Sequence, residues 1–131
     1  MDGLMKTLTD YMVHARTTKL PEEVAMKGKH HILDTLAAIV SGAALPPGEM
    51  ALKYVQSQGG MAEAQVITTP FLTTAVNAAM ANAFFAHADE TDDSHAASGT
   101  HPGCSIVPAA LAMAERGNVS GERLLNAIVL G

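Results

Sequence analysis

This sequence predicts an all-α fold of about six helices, and three observations lead there. Apolar residues make up 48% of the 131 positions, and over most of the chain they recur at three- and four-residue steps. The aromatic share is 4%, with no Trp, whereas Ala is plentiful and there are 8 Met, so the core has to be built from small and unbranched side chains that suit closely packed helices. Only one segment, Ala64 to Thr69, reads as extended; a lone segment of that length cannot make a sheet, and it is expected to be a connecting strip.

The helices follow in order. Leu4, Leu8, Tyr11, Met12 and Ala15 share a face, which predicts an amphipathic helix over the first sixteen or so residues, ended by Thr17 and Thr18. Pro21 starts the second, with Glu22 and Glu23 in the first turn where acids complement the helix dipole. Its core stripe is Val24, Gly28, Ile32, Leu36, Ile39 and Ala43, with Gly28 placed for close approach of another backbone. Gly42 and the Pro46–Pro47 pair end it. A third helix from Gly48 to Gln58 presents Ala51, Leu52 and Val55 before Gly59–Gly60 breaks it. From about Thr73 the pattern is helical again, with Val76, Ala79, Met80, Ala83, Phe84 and His87 expected to share a face. Pro108 reads as the first residue of a fifth helix running to Gly117, and Ser120 caps a last one that shows Leu124, Leu125, Ile128 and Val129. Residues 1–131 therefore read as one helical domain, without internal repeats. Because it finishes on an apolar helix, it is expected to be incomplete at its C-terminal end.

Several classes of function find no support. There is no G-x-G-x-x-G, Walker loop, H-E-x-x-H or G-x-S-x-G. The single cysteine, Cys104, rules out an internal disulfide framework or a C-x-x-C metal site, and reads as a small buried hydrophobe. The N-terminus shows no secretory pattern and no apolar run reaches the ~20 residues of a membrane span, so a cytoplasmic location with no membrane partner is expected. The net charge is -5, but Asp89, Glu90, Asp92 and Asp93 account for most of it, and no Lys or Arg lies between Lys53 and Arg116. With no basic stripe to neutralise phosphates, nucleic acid is not an expected partner.

That acidic stretch is also the richest in chemistry. His87-Ala-Asp-Glu-Thr-Asp-Asp-Ser-His95, followed by Thr100-His101-Pro102-Gly103, holds three of the six histidines and four of the thirteen acids. Were the helix to continue, His87, Glu90, Thr91 and Ser94 would share a face while Asp89 and Asp93 pointed away. Imidazoles beside carboxylates are the usual means of moving protons. His101 is the natural acid or base, in a loop just before a helix, where Pro102 restricts the backbone. Two other readings stand beside this one. The acids can be a solvated helix end, and His87-x-x-Glu90, Asp92-x-x-His95 and His31-x-x-Asp34 have the spacing by which helical bundles hold divalent metals. His30, His31 and Asp34 otherwise read as structural, and His14 as a surface residue.

Asn82-Ala-Phe-Phe-Ala-His87, Glu90-Thr-Asp-Asp-Ser94, His101-Pro102, Pro108-Ala-Ala-Leu-Ala-Met-Ala-Glu115 and, in the second helix, Leu33-Asp-Thr-Leu36 together resemble the N-terminal motif block of the MmgE/PrpD family. That family includes 2-methylcitrate dehydratase and cis-aconitate decarboxylase. The resemblance spans roughly residues 20 to 131 in order. It implies a helical first domain joined to a smaller α+β domain, which is expected to be absent from these 131 residues. It also implies homodimers, and lyase or isomerase chemistry next to a carboxylate of a di- or tricarboxylate substrate, without a metal or other cofactor. The family's Asp-x-Asp-Asp-Thr leads to His-Pro, and its first Asp, its Thr and its His lie at the active site; those positions match Glu90, Ser94 and His101. His87, Asp92 and Asp93 are expected to hold the loop and cap the helix. Glu90 is longer than the usual Asp, Ser94 lacks the methyl of Thr, the spacing to His101 exceeds that of the family's lyases, and Asn82-Ala83 stands where Asn-Gly is common.

A polycarboxylate also needs cations around it, and the cluster contributes only acids and histidines. They are expected from further polypeptide, so the chain alone should be catalytically incomplete. The alternative is a non-enzymatic helical module, either a metal binder using the His/Asp/Glu cluster or a decayed remnant that self-associates.

Overall fold

The computed structural model describes residues 3–131. In it the chain forms six helices, α1 (Gly3–Ala15), α2 (Glu22–Gly42), α3 (Pro46–Gln58), α4 (Ala75–His87), α5 (Gly103–Gly117) and α6 (Gly121–Leu130). Two short strands, β1 (Ala64–Gln65) and β2 (Leu72–Thr73), separate α3 from α4. The all-α expectation holds. No single helix is long and apolar enough to cross a membrane.

Helix α4 is the centre of the molecule: α5, α2 and α3 all pack on it, while α6 closes the far side of α2 and α5. Phe85 of α4, Ile39 of α2 and Val55 of α3 are completely buried, each worth roughly 1.5–3 kcal/mol over an exposed position. Small side chains set the closeness of the packing. A methyl group added at Gly42 would lie 2.0 Å from the Phe85 carbonyl oxygen, so α2 and α4 can touch backbone to backbone only because that position is glycine. At Gly28, by contrast, the neighbours are the Leu125 and Val129 side chains of α6, each 3.0 Å from such a methyl. Gly28 makes room for side chains, and the backbone approach occurs at Gly42.

The α4 face differs from the one expected. Ala75, Ala78, Ala81, Asn82, Phe85 and Ala86 are buried, whereas Val76 is 75% exposed and Phe84 52%. The helix is apolar almost all round, so periodicity had little to choose by, and the narrow alanine face is the one that lets three helices come close. Three prolines also sit differently. Pro46 and Pro47 are the first residues of α3, where a missing N–H costs nothing, instead of a terminator for α2. Pro108 lies inside α5, which starts five residues earlier at Gly103 and so tolerates one missing bond to the Cys104 carbonyl.

Segment 64–69 is partnered. Ala64 pairs with Thr73 and Gln65 with Leu72, antiparallel, in a hairpin too small to count as a sheet layer. Asn82 of α4 pins it: its Oδ1 accepts from the Ile67 N–H at 2.9 Å and its Nδ2 donates to the Gln65 carbonyl at 3.0 Å. The Glu63 carboxylate accepts from the Ala75 N–H at 3.0 Å and Thr74 caps the same helix end, so the hairpin and the start of α4 are fixed together.

Candidate active site

Helix α4 stops at His87 because the next residues offer the backbone other partners. The Glu90 N–H reaches the His87 carbonyl at 3.3 Å, with Glu90 in the left-handed region at φ 55°. The Asp89 carboxylate accepts from the Thr91 hydroxyl at 2.7 Å and from the Ser41 hydroxyl of α2. These hydroxyl bonds, Ser41 first and Thr91 second, hold the Asp89 pKa below its ordinary value. The chain therefore turns, and the shared helical face of His87, Glu90, Thr91 and Ser94 does not form. Glu90 is left exposed on the outside of the turn.

The turn sends Asp92 back under the end of α4. Its side chain has no exposed surface. Both carboxylate oxygens lie 3.1 Å from His87 Nδ1, and Oδ1 lies 3.4 Å from His101 Nδ1. The two rings meet edge to face with centroids 5.0 Å apart. Among the described residues no Lys or Arg pairs with Asp92, so two imidazoles are its charged or chargeable neighbours. The His101 contact is within ion-pair range but too poorly aligned for a hydrogen bond, and Nδ1, although buried, has no hydrogen-bond partner.

Cys104, the second residue of α5, adjoins the same carboxylate and is half-buried, where a small buried hydrophobe was expected. Its thiol donates to the His101 carbonyl at 3.1 Å. Burial first, then Asp92 and Asp93 beside it, push its pKa up to about 11.

Asp93 faces the other way. Its Oδ1 accepts from the Gly103 N–H at 2.8 Å, which caps α5 from ten residues upstream, and its Oδ2 lies 3.8 Å from His31 Nδ1 of α2. A methyl on Gly103 would come within 2.6 Å of Asp93 Oδ1, so only glycine seats this cap. Beyond it opens a cavity of about 420 Å³ between α2, α5 and α6. Its walls are apolar, Ile106 and Val129 among them, and its rim carries Lys27, His31, Asp93, Ser94 and His95.

The structure thus brings together His101, Asp92 and His87, sets the next two residues, Asp93 and Ser94, at the cavity rim, and leaves Glu90 apart from both. Asp93 accepts from the first N–H of α5, while Asp92 lies between His87 and His101. None of the alternative metal pairs, His87 with Glu90, Asp92 with His95 or His31 with Asp34, belongs together to a convergent group of three ligands among the described residues; His87, Asp92 and Cys104 form one. The sequence reading missed Lys27 and the position of Cys104. Lys27 was legible only as a neighbour of the Gly28 stripe, 66 residues before Asp93 in the chain.

The MmgE/PrpD N-terminal domain matches the chain over residues 6–131. A cis-aconitate decarboxylase-like protein of Aspergillus oryzae is 29% identical over 95% of this chain, and cis-aconitate decarboxylase of Aspergillus terreus is 28% identical over 98% of it. In each case the aligned part is 27% of the relative's length, so the chain spans about a quarter of the proteins it matches. No solved structure matches it with comparable significance. A domain match over nearly every residue, on a helical frame that holds the His-Pro loop against a buried aspartate, places this chain in the MmgE/PrpD family, as a form of its N-terminal domain.

Proposed function

We propose that this domain supplies the proton-handling half of a lyase or isomerase that acts next to a carboxylate of a di- or tricarboxylate, without a metal, with cis-aconitate decarboxylation as the leading reaction. The observation that bears most weight is the buried Asp92 carboxylate with His101 on one side and His87 on the other. A carboxylate behind an imidazole fixes which ring nitrogen carries the proton: with Nδ1–H turned to Asp92, Nε2 is the site that gives or takes one. Small rotations of the His101 ring would complete the bond to Asp92, as catalytic hydrogen bonds often tighten only around substrate. In decarboxylation, loss of CO2 leaves an electron pair on carbon, and His101 delivers the proton that quenches it; in dehydration the same nitrogen removes the proton and hydroxide leaves.

Ser94, at the rim of the cavity, contacts or orients a substrate carboxylate, and Glu90 does so when further polypeptide packs over the turn. Lys27 supplies part of the positive charge that the acidic segment lacks, with His31 beside it as a further polar group. The relatives' names support the substrate class. Further cations, a second domain and a homodimeric partner belong to the same proposal, and the domain alone is inactive.

The test is a fusion of this chain to the remaining three-quarters of the Aspergillus terreus enzyme, assayed with cis-aconitate and with 2-methylcitrate. Turnover should fall by about 10²–10⁴ in His101→Ala, the usual worth of a general acid or base. Turnover that survives this substitution would remove His101 from the mechanism.

A further inference from the structure

Behind His101 the structure leaves a need unmet. Its Nδ1 is buried, faces Asp92 and is bonded to nothing. Around that same carboxylate, ligand atoms of His87, Asp92 and Cys104 all lie within 4.8 Å of one another. Two imidazoles, a carboxylate and a thiol are a common donor set for tetrahedral zinc, whose bonds of about 2.0–2.3 Å put ligand atoms roughly 3.3–3.7 Å apart. The Asp92 oxygens already stand 3.1 Å from His87 Nδ1 and 3.4 Å from His101 Nδ1. The thiol stands within 4.8 Å of the His87 and Asp92 ligand atoms, and His101, outside that group of three, joins it by turning its ring about the Asp92 contact.

We propose that His87, Asp92, His101 and Cys104 form a binding site for a thiophilic divalent metal of the zinc class, and that filling it silences His101 as a proton carrier. Charge favours this. One carboxylate, one thiolate and two neutral imidazoles around a dication sum to zero, so the metal relieves a carboxylate that has no Lys or Arg beside it. The thiol proton goes to solvent on binding, and a bound dication reverses the surroundings that otherwise hold the thiol protonated. Sulfur and imidazole nitrogen select against Mg²⁺ and Ca²⁺, which want oxygen. Access is open, since the His87 and His101 side chains are 48% and 36% exposed. Silencing follows from the ring: a metal on the Nδ1 lone pair leaves Nε2 carrying its hydrogen, unable to accept another. That second half rests on the lyase reading, and the metal site does not.

The experiment is titration of the 131-residue protein with Zn²⁺ against a competing chelator, and with Co²⁺ in the spectrophotometer. One metal per chain is expected, with a sulfur-to-cobalt charge-transfer band. Cys104→Ser should erase that band, and Cys104→Ser and His87→Gln should each weaken binding by about ten-fold or more, while His95→Gln, in the adjacent loop, leaves it unchanged. His87 is half-exposed at a helix end, so its variant keeps the test independent of the core. Substoichiometric metal, absence of the band, or wild-type affinity in both site variants overturns the proposal. In the fusion, Zn²⁺ should suppress turnover of the wild type at the concentration that fills the site; full activity with the metal bound refutes the silencing alone. A fusion inactive even without metal defeats the lyase reading and leaves the titration result standing.

Discussion

Helices α1 and α4 are both thirteen residues long, yet α4 buries six residues and α1 none. The sequence pattern points the other way. Leu4, Leu8, Tyr11 and Met12 make a clean amphipathic stripe, whereas α4 shows hardly any polarity of face. In the structure the stripe is uncovered, with Leu4 79% exposed, and α1 meets the rest of the domain along α6. Periodicity reports that a helix has a face to bury; it does not say that a partner is present. An apolar helix without a clear face is instead suited to a central position where neighbours arrive from several sides, and α4 has three.

The largest consequence of this contrast should come from Phe85→Ala, which empties the middle of α4 and is expected to cost about 3–5 kcal/mol in urea denaturation. A loss under 1 kcal/mol would mean that α4 is not the centre. Cys104, where α5 begins against α4, offers a probe without mutation. With its pKa raised from 9.0 to about 11, its thiolate fraction below pH 9 is about a hundred-fold smaller than that of an ordinary thiol, and iodoacetamide should alkylate it correspondingly slowly. The sign for stability follows: a proton held more tightly when folded favours the fold below pH 9.0, and that contribution is lost as pH rises toward about 11. Alkylation at the rate of the unfolded chain would place the thiol in open solvent. Asn82→Ala strands the Ile67 N–H and the Gln65 carbonyl and should cost about 1–3 kcal/mol, with faster hydrogen exchange at Ile67. The smallest effect belongs to Leu8→Ala in α1, within about 0.5 kcal/mol, as for other exposed positions; a loss of several kcal/mol would show that α1 has a covered face after all.

Legibility in the sequence followed the same division. Helices with terminal signals were readable: Ser120 caps α6 through its side chain, and Gly59 ends α3. The choice of face on α4 was not, because alanines on every side give no preference until neighbours exist. At the site, His101 before a helix was readable from His-Pro, and so was the crowding of acids. Which acid turns inward was not. Extending α4 on paper gave prominence to Glu90, but the Asp89 side chain and the left-handed Glu90 backbone end the helix and swing Asp92 inward. Asp-Glu-Thr after an apolar helix does carry a turn signal, since Asp competes for the backbone two residues on. Lys27 and His31 reach the cavity through the packing of α2 on α5, a relation between distant parts of the chain that no local pattern contains.

The tie from Asp93 to α5 bears on how such a domain can vary. Asp93 grips the first N–H of α5, and His95 and Thr100 bridge across the loop between, so the stretch from Ser94 to His101 leaves and returns through a clamped neck. Residues Ala96 to Gly99 at its tip are exposed and touch neither Asp92 nor the cavity wall. Length can be gained or lost there without shifting His101, because its place is set by the neck and by Pro102. The stretch from Ser94 to His101 is then a lariat, and sequence distance between those residues is no measure of their distance in space.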